Sequence, residues 1–104
     1  MTFRVVFETG ADEDLLRLHE HLLARAEYIE DLEIANRAID AIQTAVLSLA
    51  VSPMLFRKRR GGGPLRRELV VPFGSTGYVI EYEVAGPDLV VVLAVRHQRE
   101  QDLH

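Results

Sequence analysis

The chain has 104 residues, 48% of them hydrophobic, no cysteine and a formal net charge of -4. That length and apolar content suit one domain, able to bury about 65% of its unfolded surface without disulfide or metal staples. The lack of cysteine excludes a disulfide framework, a thiolate nucleophile and a cysteine-type zinc site, and it fits a reducing compartment. No apolar run approaches the ~18 residues that span a bilayer, and MTFRVVFETG lacks the charged start, apolar stretch and cleavage site of a signal peptide. The expectation is a single cytoplasmic domain over residues 1 to 104.

Charge is uneven along the chain. Residues 1 to 56 carry 4 basic and 10 acidic side chains, whereas residues 57 to 104 carry 8 and 6. Such a protein is a poor candidate for general nucleic-acid coating, but a local cationic edge remains open to it.

FRVVF, residues 3 to 7, reads as a short strand entering a helix. Thr9 with Asp12 resembles a capping box, and Asp12, Glu13 and Asp14 suit the positive end of a helix dipole. Leu15, Leu18, Leu22 and Ala26 recur at helical spacing, with Leu16 and Leu23 widening the stripe, so the spacing predicts a first helix fading near Tyr28. A second stripe is formed by Ala35, Ala38, Ile39, Ile42, Ala45, Val46 and Leu49, over four turns and ending before Pro53. A short link through Glu30 and Asp31 implies an antiparallel helical hairpin laid on something flat.

Beyond the Gly-rich loop the period changes to two. Leu65, Leu69, Val71 and Phe73 share a face, with Arg67 intruding at its entrance. Gly74 to Gly77 form a tight turn into YVIEYEV, where Tyr78, Ile80, Tyr82 and Val84 face one way and Val79, Glu81 and Glu83 the other. After Gly86-Pro87-Asp88, LVVVLAV is apolar at every position, as in a strand covered on both faces. Short connections make these three strands antiparallel. The predicted class is α+β, ordered β-α-α-β-β-β, with a helical hairpin packed on an antiparallel sheet.

FRKRRGGGPLRREL, residues 56 to 69, gathers Arg57, Lys58, Arg59, Arg60, Arg66 and Arg67 around three glycines. It is not a phosphate-binding P-loop, because a helix precedes it and a strand follows. Spacing leaves open both a solvated loop and a binding edge. His19 and His21 lie two residues apart, so on a helix they diverge by roughly 200 degrees and cannot form an HExxH metal pair. No metal site or cofactor is expected. Ser48, Ser52 and Ser75 sit in no nucleophile setting, and Tyr78 and Tyr82 are assigned to the core. His97 and His104 fall in the tail, where a general base is the exception.

DLLRLHEHL, AIDAIQTAVLSLAVSP, LRREL, GYVIEYEV and VVLAVRHQRE together resemble the RelE/ParE superfamily of type II toxin-antitoxin toxins. The resemblance covers nearly the whole chain, and GYVIEYEV followed by VLAVRHQRE is its most specific portion. It implies the RelE/ParE sandwich, a co-expressed antitoxin that wraps the toxin, plasmid stabilization and growth arrest as outputs. In the RelE branch, ribosome-dependent ribonucleases use sheet-borne cations to stabilise developing charge. Two lysine positions of that branch fall on Val70 and Pro72, and its arginine after GY falls on Val79. Its tail arginine falls nearest Gln98 and its terminal tyrosine nearest His104.

The sequence therefore looks more like ParE, whose members are associated with inhibition of DNA gyrase by binding. That reading requires no catalytic residue and implies a hetero-oligomer with a ParD-like antitoxin, and DNA gyrase, with the DNA in its complex, as the other partner; no membrane is involved. Arg57, Lys58, Arg59, Arg60, Arg66, Arg67, Arg96 and Arg99 are then a basic edge for target or antitoxin. One alternative is a divergent mRNA endoribonuclease using Arg96, His97, Arg99 and His104. Another is a non-toxic protein that only binds its antitoxin in a regulatory complex.

Overall fold

In the computed structural model, which describes residues 2 to 58 and 61 to 98, strand β1 (Arg4–Phe7) leads through a helical hairpin into a meander. The hairpin is α1 (Thr9–Ala24) and α2 (Ile29–Ser48), and the strands that follow are β2 (Arg57–Lys58), β3 (Arg66–Phe73), β4 (Thr76–Val84) and β5 (Leu89–His97). The sheet order is β1-β5-β4-β3-β2. The meander is antiparallel as predicted, but β1 lies parallel to β5, with Arg4 opposite Leu89 and Phe7 opposite Val92. The two intervening helices supply the long crossover that a parallel pair needs. Strand β5 therefore has a neighbour on each side along its first half, but the helices cover only one of its faces: Val90 and Val92 are buried, whereas Leu89 and Val91 on the other face are half-buried rather than covered as the unbroken apolar run predicted.

Both sheet edges are short. The outermost strand β2 is two charged residues, a composition that discourages pairing with another chain. Glu81 lies opposite Ala94 and Tyr82 opposite Val92, which makes Leu93 the extra residue of a bulge. Beyond it, β5 runs past the end of β1, and the Val95 N–H donates to Asp14 Oδ2 of α1 at 3.0 Å.

The helices begin elsewhere than the capping pattern suggested. Thr9 lies inside α1; the cap is Glu8, in extended conformation and without a side-chain cap bond. Its N–H is already committed to Val92 O at 2.9 Å, so the strand hands the chain to the helix one residue earlier. Likewise Glu30 and Asp31 are not the link but the first turn of α2. Asp31 accepts from the Glu27 and Tyr28 N–H groups at 2.9 and 3.1 Å, closing the connection over residues 25 to 28.

Ala35, Ala38, Ile42, Val46 and Leu49 bury the predicted stripe of α2 against Leu69, Val71, Tyr78, Ile80, Tyr82, Val90 and Val92. The alanines bring the helix close to the sheet. On α1, Leu15, Leu18 and Leu22 pack on this core. Leu16 and Leu23 do not widen the core stripe; they face outward, because α1 is supported by β5 and α2 on one side only.

Candidate functional site: the open sheet face and its basic edge

Both helices cover one face of the sheet, so the alternation of β3, β4 and β5 sends Glu68, Val70, Pro72, Val79, Glu81, Glu83 and Arg96 to the other. Val70 sits opposite Val79, which sits opposite Arg96, and Pro72 is opposite Gly77. Hydrocarbon thus fills the centre of the face turned away from the helices, where Val79 and Ala94 are buried. Val79 is wholly buried and Pro72 exposed.

Guanidinium groups flank that apolar strip, and each meets a carboxylate. Arg57 Nη2 lies 2.8 Å from Glu68 Oε2, with its Nε donating to the same oxygen at 3.0 Å. Arg66 Nε stands 3.5 Å from Glu83 Oε1, and Arg96 Nε 3.6 Å from Glu81 Oε1. Glu68 and Glu81 are direct cross-strand neighbours. Like charges in that position repel, and each carboxylate has an arginine on its far side. The row Arg57, Glu68, Glu81, Arg96 therefore spans four strands with its charge compensated. An incoming phosphate must compete with carboxylates already in place.

Arg67 is on the opposite face, 8% exposed, where its Nη1 donates to Met54 O at 3.0 Å and Phe56 O at 2.7 Å. It cannot serve the basic edge as a surface contact, since alternation turns it into the core side of β3. Lys58 is exposed on β2. Arg59, Arg60, Arg99 and His104 lie outside the described residues.

Adjacent residues of a strand point oppositely, and this separates Arg96 from His97. The His97 ring stands edge-on to Tyr78 on the helix face, 5.6 Å between centroids, with Nε2 3.1 Å from Thr76 Oγ1. Both residues border a cleft between α1 and β5, but the strand turns their side chains to opposite faces of the sheet. Burial pushes the Tyr78 phenol above its usual range and the Tyr82 phenol up to about 12, against a smaller opposing effect of Arg67 on Tyr82.

Two further concavities border the helices. A cleft of about 970 Å³ between α1 and the free end of β5 is lined by Asp14, Arg17, His21, Arg25, Val95 and His97. Arg17 neutralises Asp14 at 2.6 Å, and Arg25 Nη1 lies 3.4 Å from His21 Nε2. His19 instead turns toward α2, Nε2 3.3 Å from Asn36 Oδ1. Helical spacing places Leu16 and Leu23 beside His19, and Leu32 beside Asn36. They mark an outer groove between the helices, and all three are exposed. At its far end a hollow of about 470 Å³ is lined by Val5, Phe7, Leu15, Val46, Leu47 and Ala50. Among the described residues no group of three metal-ligating side chains exists, and no helix is long and apolar enough to cross a membrane.

Sequence reasoning missed Glu68, Glu81 and Glu83 as the partners of the arginines. Their signal was the period-two placement of Glu81 and Glu83 beside Val79; what it lacked was the register across strands.

The family model described as "ParE toxin of type II toxin-antitoxin system, parDE" matches residues 5–102. The chain belongs to this family of toxins. It is 40% identical over 91 residues to Toxin RelE3 of Caulobacter vibrioides, covering 88% of this chain and 89% of that protein. Toxin RelE1 of the same organism is 35% identical over 101 residues, covering 97% and 99%. A solved structure of the chromosomal ParDE system from P. aeruginosa shares the fold, with TM-score 0.69, 18% identity and coverage of 92% and 96%.

Proposed function

We propose that this toxin arrests growth by binding DNA gyrase and prolonging its cleaved-DNA state, and that it is neutralised by a ParD-like antitoxin. The observation carrying the reading is the sheet face turned away from the helices. Val70, Pro72 and Val79 occupy the positions where the resemblance places the cations of the ribonuclease branch, and neither valine nor proline can donate to a developing oxyanion. Among the described residues, Arg57, Arg66 and Arg96 there are paired with glutamates, and His97 is on the opposite side of the sheet. A protein that acts this way needs only a higher affinity for one enzyme intermediate than for the others.

The inter-helix groove is the surface assigned to the antitoxin. A segment that folds on binding must bury apolar area to offset its ordering, and Leu16, Leu23, Leu32 and Leu47 offer it. Glu20, Glu30, Glu33 and Asp40 are exposed on the same helices and favour a partner segment carrying basic residues.

The test is to purify the chain without antitoxin and assay gyrase-mediated cleavage of supercoiled DNA beside ribosome-programmed mRNA cutting. Accumulated gyrase-linked DNA breaks are expected. Codon-register mRNA cuts with gyrase unaffected would overturn the proposal in favour of a ribonuclease. Antitoxin binding with silence in both assays would leave a regulatory protein without toxicity.

A further inference from the structure

Arg67 is an anomaly. Its guanidinium is nine-tenths buried, no carboxylate pairs with it among the described residues, and its Nε finds no hydrogen-bond partner. Removing such a charge from water is costly, and an apolar side chain of similar shape usually fills such a place more cheaply. Its hydrogen bonds go to the main chain of one short turn, at Met54 O and Phe56 O. The wholly buried Tyr82 hydroxyl donates to Pro53 O in the same turn. Arg67 and Tyr82 are cross-strand neighbours on β3 and β4, so two polar groups reach out of the core to hold one four-residue segment.

The side chains at the centre of that segment gain nothing from the core. Met54 is 49% and Leu55 76% exposed, between Pro53 and Phe56, which are turned inward. Arg57 and the exposed Lys58 follow immediately on β2. Two large apolar side chains on a turn whose backbone is already held need no backbone ordering on contact, only that of the side chains themselves. That is the economy of a preorganised binding anchor.

We propose that the turn from Pro53 to Phe56 is the toxin's target-recognition element. Met54 and Leu55 enter an apolar hollow on a protein target, and Lys58, exposed on β2, meets a carboxylate at its rim, while Arg57 stays with Glu68. Arg67 and Tyr82 are positioning residues that act through the turn. The inference rests on the reading that this chain acts by binding a protein, and it places target recognition away from the inter-helix groove.

The test compares Leu55→Asp with Leu16→Asp, a change in the groove. Growth arrest in cells, gyrase-mediated DNA cleavage, affinity for the cognate antitoxin and thermal stability are measured for both. Leu55→Asp is expected to weaken growth arrest and gyrase poisoning by about tenfold or more, as loss of a central anchor does, with Tm and antitoxin affinity unchanged. Leu16→Asp should do the reverse, lowering antitoxin affinity with toxicity retained. Arg67→Met, with both anchors present, should weaken growth arrest and speed amide exchange at Leu55, and Tm reports its folding. Full toxicity of Leu55→Asp, or equal loss of antitoxin affinity, overturns the inference. If wild type arrests growth without touching gyrase, the gyrase reading fails while growth arrest by Leu55→Asp still decides the turn. A wild-type chain that arrests nothing overturns both.

Discussion

Replacing Tyr82 by phenylalanine removes one hydroxyl from the centre of the fold and makes a prediction with a sign at two ends of the pH scale. The ring is wholly buried, so Tyr82→Phe keeps the packing and leaves the Pro53 carbonyl without its donor. Loss of one partner of a buried hydrogen bond costs about 1 to 2 kcal/mol at neutral pH, or roughly 5 to 10 °C in Tm for a chain of this size. At high pH the wild-type advantage reverses. Burial raises the phenol from 10.0 to about 12 in the folded protein, so the native state keeps a proton that the unfolded chain releases. The stability carried by that group is complete below about pH 10 and is lost as pH climbs toward 12, by about 3 kcal/mol in all. Phenylalanine has nothing to lose. Stability curves for the two proteins, from urea denaturation followed by circular dichroism, should therefore converge above pH 10 and cross near about pH 11. Parallel curves through that interval would refute the coupling between burial of the phenol and its ionisation.

Ile42→Ala, at the centre of the α2 stripe and with no exposure, should cost about 2 to 5 kcal/mol in the same denaturation assay. Gly77→Ala would drive a methyl group into the Val71 carbonyl oxygen, a collision with backbone that should cost about 1 to 3 kcal/mol in the same assay. Salt dependence tests the basic edge. On the proposed gyrase reading, if all six loop cations met phosphates, affinity for the gyrase-DNA complex would fall about a thousandfold from 50 to 200 mM salt, whereas three contacts give roughly fortyfold. Because Arg57 and Arg66 are ion-paired and Arg67 is buried, the smaller fall is expected in a salt titration of binding, and Glu68→Gln should steepen it by freeing Arg57.

The sequence by itself determined whatever repeats along the chain. The stripe from Ala35 to Leu49 is a helical period, the alternation from Tyr78 to Val84 is a strand period, and the apolar run from Leu89 to Val95 marks a strand inside the sheet. Each is a relation among near neighbours, which no distant residue needs to supply, and the family likeness rides on the same segments. Only the tertiary structure decided what stands across from what. The parallel seat of β1 beside β5 depends on a crossover spanning two helices. The compensation of Arg57 by Glu68 and Arg96 by Glu81 depends on register between strands, and the division of Arg96 from His97 on which face the helices cover. Arg67 joins the two kinds of knowledge: its place on the core face was legible from alternation, but only folding showed which carbonyls it holds, because those oxygens belong to a turn eleven and thirteen residues earlier in the chain.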